Sequence, residues 1–433
     1  MDLKKEIKFS DLLPGKGKGG SKAEKAPKEP KEPKQKPAKN KAPLLKRELS
    51  FKRKPKPKAL PDQADRPKKE RKRRDASQKR AKRVVGLKIG ASQLAAARVV
   101  NNGSPELVQV ARKELEPGLV VAGELREPEL LADALRSFFR EHRLPRQGVR
   151  LGIASNRIGV RSFEIAGITD PHQLENAVRF RAQEVLPIPL EEAVLDYQVL
   201  SQRTDEDGNP LVRILLVVAY REQIDRYVSA CKKAGLRLSG IDLEAFALLR
   251  ALAEPRPEGE GGAEAAVVVV SIGHDRSTFA VSDGRICEFT RVLEWGGATL
   301  DVAIARELDV APSEAEPVKR NLSLGGEVVP EGLTPEQAHA VRDAVRRQLQ
   351  TFARELVSSL QFYQNQPGSL GIGEIVITGG TAQLGGLAEE LQKLIGVRVT
   401  VGDPLSRVKL GRKIRETEQL GSLSVAIGLG IED

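Results

Sequence analysis

Two short loops contain residue types that could hold phosphate groups. The first comprises Gly90, Ala91, Ser92 and Gln93, and the second comprises Gly273, His274, Asp275, Arg276 and Ser277. Glycine allows the backbone to approach an anion closely and to turn its N–H groups toward the phosphate oxygens. One such loop is a weak signal, because many tight β-turns share its composition. Two loops that face each other would clamp a nucleotide.

The elements that must position these loops occur twice in the chain, about 180 residues apart, and this repeat is more informative than either loop alone. In each copy a strand precedes the loop, a return strand follows it, and a turn ending in glycine leads to a third strand. The first copy has Val84–Ile89, Leu94–Val100, Gly103 and Leu107–Lys113, and the second has Ala266–Ile272, Thr278–Ser282, Gly284 and Arg285–Leu293. The sequence therefore predicts an α/β fold built from two halves with one topology.

The basic character of the chain is confined to its first 83 residues. This segment holds 31 Lys or Arg and 11 Asp or Glu, whereas the remaining residues hold 40 and 48. Its Lys-, Pro- and Gly-rich composition offers too little apolar surface to offset the entropy of ordering. We therefore predict a disordered basic arm, residues 1–83, whose simplest role is that of a solvated tether. Binding of nucleic acid or of an anionic membrane surface through the arm is the alternative that its charge leaves open.

Several classes of protein are excluded by what the sequence lacks. It has no run of about 18 apolar residues that could span a bilayer, and no apolar segment typical of a secretory signal near its start. Cys231 and Cys287 lie far apart and the histidines are dispersed, so no zinc-type spacing occurs. We expect both cysteines in the core, no metal site, and a cytoplasmic location.

A family resemblance is carried by several segments in a fixed order. They are Val85–Ser92, Ala182–Pro189, Leu195–Leu200, Gly240–Leu248, Phe289–Arg291 with Gly296 and Gly297, Glu314–Lys319 and Ile377–Ala382. From Val84 to the end, the chain resembles PilM, the actin-like ATPase family of type IV pilus assembly that is related to FtsA. None of these segments is specific by itself, but their order and spacing together are.

The resemblance implies an actin-like (ribonuclease H-like) α/β fold, with duplicated domains and a small inserted α+β subdomain after the disordered arm. The expected order is residues 84–151 for the first part of half 1, 152–242 for the insertion, 243–265 for the return to half 1 and a linker, and 266–433 for half 2. Within the insertion, strands at Ile158–Glu164 and Ile214–Tyr220 alternate with helices at Pro171–Val185 and Glu222–Ala234. This βαβα pattern predicts a separate layer.

ATP is the ligand that the resemblance implies for the cleft between the two loops. Besides the loop residues themselves, the implied contacts are Gly86, Lys88, Ser271, Gly297, Glu316, Lys319, Gly379, Gly380 and Thr381. The last three would lie against the adenosine, and Glu316 and Lys319 would approach the ribose and base.

One departure from the family pattern lies two positions before the glycine of each loop. The family has an aspartate there that helps to hold Mg²⁺ or to orient water, whereas this chain has Lys88 and Ser271. An ammonium group cannot ligate a cation and serine is a poor ligand for Mg²⁺, so we expect impaired hydrolysis. Lys88 either replaces the cation against the phosphates or pairs with Asp275 or another carboxylate in an empty pocket. No catalytic residue is assigned, and surface or helix-capping roles are expected for Asp242, Glu244 and Asp301.

The function that the resemblance implies is scaffolding. The family binds the short N-terminal tail of the membrane protein PilN in a groove between the first domain and the insertion, for which Leu174–Val185 and Arg157–Phe163 are the expected walls. Partners would hold the protein at the inner face of the cell membrane, with pilus assembly ATPases and further copies of the chain as other candidates. An active actin-like ATPase or kinase is one alternative, and binding of nucleic acid or an anionic membrane through the basic arm is the other, with nucleic acid the less expected of these two ligands.

The N-terminal segment Ile7–Pro14 is similar to the tail that the family recognises on PilN. Tethered by the arm, it could reach the groove of its own or a neighbouring chain. A short motif for another partner, or no role, is the simpler explanation.

Overall fold

The computed structural model describes residues 82–433 except 169, 186–188, 205–207, 255–264, 327, 328, 367, 413, 415–419 and 433. The predicted arm therefore lies outside the described residues, apart from Lys82 and Arg83, and so does Ile7–Pro14. Within the described ranges, no helix is both long enough and apolar enough to cross a bilayer.

The strands of the described residues are β1 (Lys82–Ile89), β2 (Gln93–Asn102), β3 (Ser104–Glu114), β4 (Val120–Val121), β5 (Glu124–Leu125), β6 (Gln147–Ile153), β7 (Ile158–Ala166), β8 (Ala193–Thr204), β9 (Pro210–Tyr220), β10 (Arg237–Leu243), β11 (Ala266–Ile272), β12 (Ser277–Ser282), β13 (Cys287–Leu293), β14 (Ile372–Thr378), β15 (Arg398–Val401) and β16 (Lys409–Leu410). The helices are α1 (Pro128–Glu141), α2 (Pro171–Val185), α3 (Arg221–Lys233), α4 (Glu244–Leu252), α5 (Gly297–Leu308), α6 (Pro312–Asn321), α7 (Pro335–Gln364), α8 (Leu387–Ile395) and α9 (Ser424–Gly430).

The two large sheets are connected in the same way. The strand orders are β10-β6-β1-β2-β3-β16 and β13-β12-β11-β14-β15. In each sheet the strand before the glycine loop, β1 or β11, pairs antiparallel with the next strand and parallel with a later one, β6 or β14. Helices make the crossover that a parallel pair requires, namely α1 in the first half and α5 to α7 in the second. The predicted duplication is confirmed.

The third strand of the second half is shorter than predicted at its start. It begins at Cys287 and not at Arg285, because the Asp283 carboxylate accepts hydrogen bonds from the N–H groups of Arg285 and Ile286. A side chain that bonds to the backbone just after itself competes with strand pairing.

Cys231 and Cys287 are buried and unpaired, as predicted, and burial raises the pKa of the Cys231 thiol to about 12.

A third sheet, with the order β7-β9-β8, is formed by residues between β6 and β10. α2 covers one of its faces, where Leu174, Val178 and Ala182 pack on Ile214 and Leu216. The predicted βαβα pattern was wrong in one respect, because it lacks β8. The last four residues of β8, Ser201–Thr204, are exposed and polar, so the apolar alternation that marks a strand fades there.

Two glycines allow α9 to pack closely against β1 and α4. A Cβ atom at Gly86 of β1 would come within 2.0 Å of the Ala426 carbonyl oxygen, and one at Gly428 would come within 1.8 Å of the Ala247 carbonyl oxygen. Glycine is required at both positions because backbone lies directly against backbone. α4 and α9 also pack on Val269 of the second sheet. This helix pair therefore lies between the two large sheets.

Candidate functional site

The two glycine loops have the same backbone geometry. The N–H of Gly90 donates to the carbonyl oxygen of Gln93, and the N–H of Gly273 donates to that of Arg276, both at 3.0 Å. A Cβ atom at Gly273 would lie 2.8 Å from the Arg276 oxygen. The predicted correspondence of the two loops therefore extends to their hydrogen bonds, and glycine at the second is explained by this close approach.

The second loop gathers several of the residues that the sequence predicted. The Gly273 carbonyl accepts hydrogen bonds from the N–H of Gly297 at 2.9 Å and from the Thr381 hydroxyl at 3.0 Å. Lys319 Nζ donates to the Gly297 carbonyl at 3.1 Å. Gly379 has a φ of 99°. The loop, the start of α5, α6 and the turn after β14 therefore form one cluster.

The two predicted residues of α6 differ in their surroundings. Lys319 points into the cluster, where its ammonium group pairs with the largely buried Asp301 at 2.7 Å. Glu316 instead pairs with Arg320 on the exposed side of the helix, at 2.6 Å. The described contacts therefore bring Lys319, but not Glu316, to the second loop.

A buried glutamate forms ion pairs with one cationic residue at each glycine loop. Lys88 Nζ lies 3.4 Å from Glu244 Oε2, and Arg276 Nη2 lies 3.8 Å from Glu244 Oε1. Arg276 Nη1 also pairs with Asp275 at 3.2 Å. Of the alternatives for Lys88, the structure contains an ion pair with a carboxylate, and its partner is Glu244 and not Asp275.

Surface or helix-capping roles were expected for three acidic residues, and the surface role was wrong, because Asp242, Glu244 and Asp301 are all buried. Asp242 pairs with Arg250 and accepts a hydrogen bond from the N–H of Leu243. The signal that could have indicated burial is the apolar composition of Gly240–Leu248, where both Asp242 and Glu244 occur.

The guanidinium of Arg276 remains charged although it is buried. Burial by itself would lower the pKa of Arg276, but the carboxylates of Glu244 and Asp275 outweigh it, so the pKa is raised. Arg276 therefore remains a cation beside the Glu244 carboxylate.

Other predicted residues have structural contacts. Gly86 lies against α9. Ser271 is buried in β11 opposite Thr278, and the Ser277 hydroxyl donates to the Trp295 carbonyl at 2.7 Å. The carbonyls of Ser92 and His274 accept hydrogen bonds from the backbone N–H groups of Leu115 and Ala298, respectively. The carbonyl of Gly380, next to Thr381, accepts one from the N–H of Gln383.

Within the described residues, no three His, Cys, Asp or Glu side chains are grouped so that they could hold a metal ion.

A groove runs along the outer edge of β7. It consists of two adjoining cavities of about 1050 and 660 Å³, which share the residues Val160, Arg161, Phe289 and Phe362. Consecutive residues from Ile158 to Glu164 line it, whereas a sheet face would contribute alternate ones. β7 is an edge strand of its sheet, and so is β13, which forms the opposite wall with α7.

Of the two segments predicted as walls of a peptide groove, only one lines the two cavities along β7. Arg157–Phe163 lines the groove along β7, but the described residues of α2 line neither cavity. α2 packs on the face of the three-stranded sheet instead. The second wall comes from the other half of the molecule.

The groove contains more basic than acidic side chains, with six arginines and four glutamates among its described lining residues. Arg161, Arg291 and Arg354 form hydrogen bonds with Val160, Ser359 and Thr351, respectively. None of these three forms an ion pair with a described residue. The groove therefore offers positive charge that the described chain does not neutralise.

Comparisons with known proteins agree with this architecture. A family model described as type IV pilus assembly protein PilM matches residues 86–433. The chain is 26% identical to the cell division protein FtsA of Escherichia coli (strain K12) over 367 residues, which is 75% of this chain and 85% of that protein. FtsA of Bacillus subtilis (strain 168) is 24% identical over 257 residues, or 54% of this chain and 57% of that protein.

A solved structure is also similar. A chain of the PilM-PilN type IV pilus biogenesis complex superimposes with a TM-score of 0.65 and 27% sequence identity, covering 80% of this chain and 97% of that one. Together with the duplicated sheets, this shows that the chain is an actin-like protein that belongs to the PilM family of type IV pilus assembly.

Proposed function

We propose that this protein is a scaffold of type IV pilus assembly that binds the N-terminal tail of a PilN-like membrane protein. The groove along β7 carries the proposal, because it presents an open strand edge in a chain that is similar to one of a PilM-PilN complex. Binding of a membrane-anchored partner would hold the protein at the inner face of the cell membrane.

An extended tail would add to the outer edge of β7. Its main-chain groups would pair with N–H and C=O groups of β7 that point away from β9, and its side chains would enter the groove. Phe362 offers apolar area there, since its side chain is 55% exposed and its ring lies 5.7 Å from that of Phe289. Such exposure of a large aromatic side chain is typical of a binding surface when it lies in a concave site.

The charge of the groove favours a tail segment that carries a carboxylate. Guanidinium groups bind carboxylates through paired hydrogen bonds, and Arg161, Arg291 and Arg354 are not engaged in ion pairs with the described residues. A carboxylate placed among them would gain affinity that salt weakens.

We also propose that the cleft binds a nucleotide and hydrolyses it inefficiently. The paired loops and the cluster at Gly273 support nucleotide binding. Lys88 and Ser271 oppose efficient hydrolysis, because neither supplies the carboxylate that would position a metal ion or water.

Calorimetric titration of the full chain tests both proposals. A synthetic peptide with the N-terminal tail sequence of the PilN-like partner should bind, whereas a scrambled peptide should not. ATP should bind with or without Mg²⁺, with little phosphate release over the same period. Absence of tail binding would exclude the scaffold, and rapid Mg²⁺-dependent release would show an active ATPase.

A further inference from the structure

We propose that Lys88 and Arg276 form an anion site for the phosphate groups of a nucleotide, and that Glu244 occupies this site as an internal anion. The inference rests on the nucleotide cleft proposed above. A phosphate group that binds there must displace the Glu244 carboxylate from the two cationic groups.

The position of the two cationic groups supports such a site. Lys88 lies two residues before Gly90, and Arg276 lies three residues after Gly273, so each cation belongs to the edge of a glycine loop. Both approach the same carboxylate from opposite halves of the molecule. A phosphate bound between the loops would therefore meet the Lys88 ammonium group and the backbone N–H groups that glycine turns expose, next to the charge of the buried Arg276 guanidinium.

The interactions of Glu244 are loose for a buried carboxylate. Its side chain is only 2% exposed, yet the ion-pair distances to Lys88 and Arg276 are 3.4 and 3.8 Å. Charge-assisted hydrogen bonds are shorter, at about 2.7–2.9 Å. Glu244 Oε1 is a buried oxygen that accepts no hydrogen bond from any residue that the structure describes. The free energy that is needed to remove such an oxygen from water is therefore only partly offset by its interactions in the protein.

Exchange of one anion for another is therefore favoured by the geometry. Lys88 is 17% exposed and can turn toward an entering phosphate, whereas the Glu244 carboxylate and the Arg276 guanidinium are both buried beside it. A phosphate would compete with Glu244 for both cations and would also be repelled by it. Glu244 thus lowers the affinity for nucleotide, the opposite of what a metal-positioning carboxylate would do.

The test is titration of the full chain with ATP and ADP in the presence of EDTA. Glu244→Gln removes the competing charge, and the affinity should rise on the order of tenfold or more, because like-charge juxtaposition is costly. Lys88→Met should lower the affinity instead, and this variant keeps the proposal testable if Glu244→Gln does not fold. Thermal melting establishes which variants are folded.

A matched control exists at the C-terminus. Glu432 is a largely buried carboxylate that also pairs with one lysine and one arginine, Lys82 and Arg150. Glu432→Gln should leave nucleotide affinity unchanged. An equal gain in both variants would overturn the proposal, since the effect would then be one of general charge.

The remaining outcomes separate this inference from the nucleotide site itself. Equal binding of ATP by the wild type and Glu244→Gln would leave the nucleotide site in place and overturn the internal anion. No binding of ATP or ADP by any variant at about 1 mM would overturn both. Binding of the tail peptide is measured separately and depends on neither result.

Discussion

The Asp275 carboxylate accepts a hydrogen bond of 2.9 Å from the backbone N–H of Ala122. Ala122 and Gly123 form the turn between β4 and β5, with φ values of 50° and 81°, as a two-residue hairpin requires. The Gly123 carbonyl accepts hydrogen bonds from Gln223 and Tyr227. A loop residue of the second half thus secures a hairpin of the first.

Replacement of Asp275 should destabilise the folded state. Asp275→Ala leaves the Ala122 N–H without an acceptor and removes a partner of Arg276, so the free energy of unfolding should fall by about 1–3 kcal/mol. Asp275→Asn retains an acceptor oxygen and should cost less. Urea denaturation of both variants measures the difference, and equal stabilities for wild type and Asp275→Ala would contradict the assigned role.

A methyl group at the centre of the molecule should be poorly tolerated. Gly428→Ala places a Cβ atom 1.8 Å from the Ala247 carbonyl oxygen, so α9 must move or the chain fails to fold. We expect a loss of about 3 kcal/mol or more in the free energy of unfolding. Gly325→Ala is the control, because a Cβ atom there meets no atom within 4 Å. Similar melting temperatures for both variants would show that the helix contact is adaptable.

Two exposed phenylalanines distinguish the possible walls of the tail site. Phe362 on α7 lines the groove, whereas Phe180 on α2, which is 66% exposed, does not. Phe362→Asp should weaken tail-peptide binding by about tenfold or more, since buried aromatic anchors contribute at least this much to many interfaces. Phe180→Asp should bind as the wild type does. The reverse result would place the tail on α2, and both variants should melt near the wild-type temperature.

The pH dependence of stability should contain a contribution from Glu288. Burial raises the pKa of Glu288 above its ordinary value of 4.5, and Arg213 at 3.4 Å opposes this only in part. A raised folded-state pKa contributes stability below pH 4.5 that is lost as the pH rises through the folded value. Unfolding free energies of the wild type should therefore fall over this interval relative to Glu288→Gln. Parallel curves for the two proteins would contradict the raised pKa.

Local patterns in the sequence were sufficient to predict the strand and loop arrangement that the two halves share. Strand periodicity, the two glycine loops and the turns at Gly103 and Gly284 depend on neighbouring residues, and each is visible in the order of side chains. β8 was missed because its last four residues, which are polar and exposed, lack that pattern. The resemblance to the PilM family extended these observations to the whole described chain.

The tertiary structure alone decided the surroundings of Lys88 and the walls of the groove. Lys88 and Glu244 are 156 positions apart in sequence, and β7 and β13 belong to different sheets. A glutamate in the first turn of a helix, such as Glu244, is often a surface or capping residue, so its sequence position does not reveal that it is buried. Which charges meet, and which strand edges face each other, depends on how separately formed elements pack. No short-range preference of the chain encodes that packing.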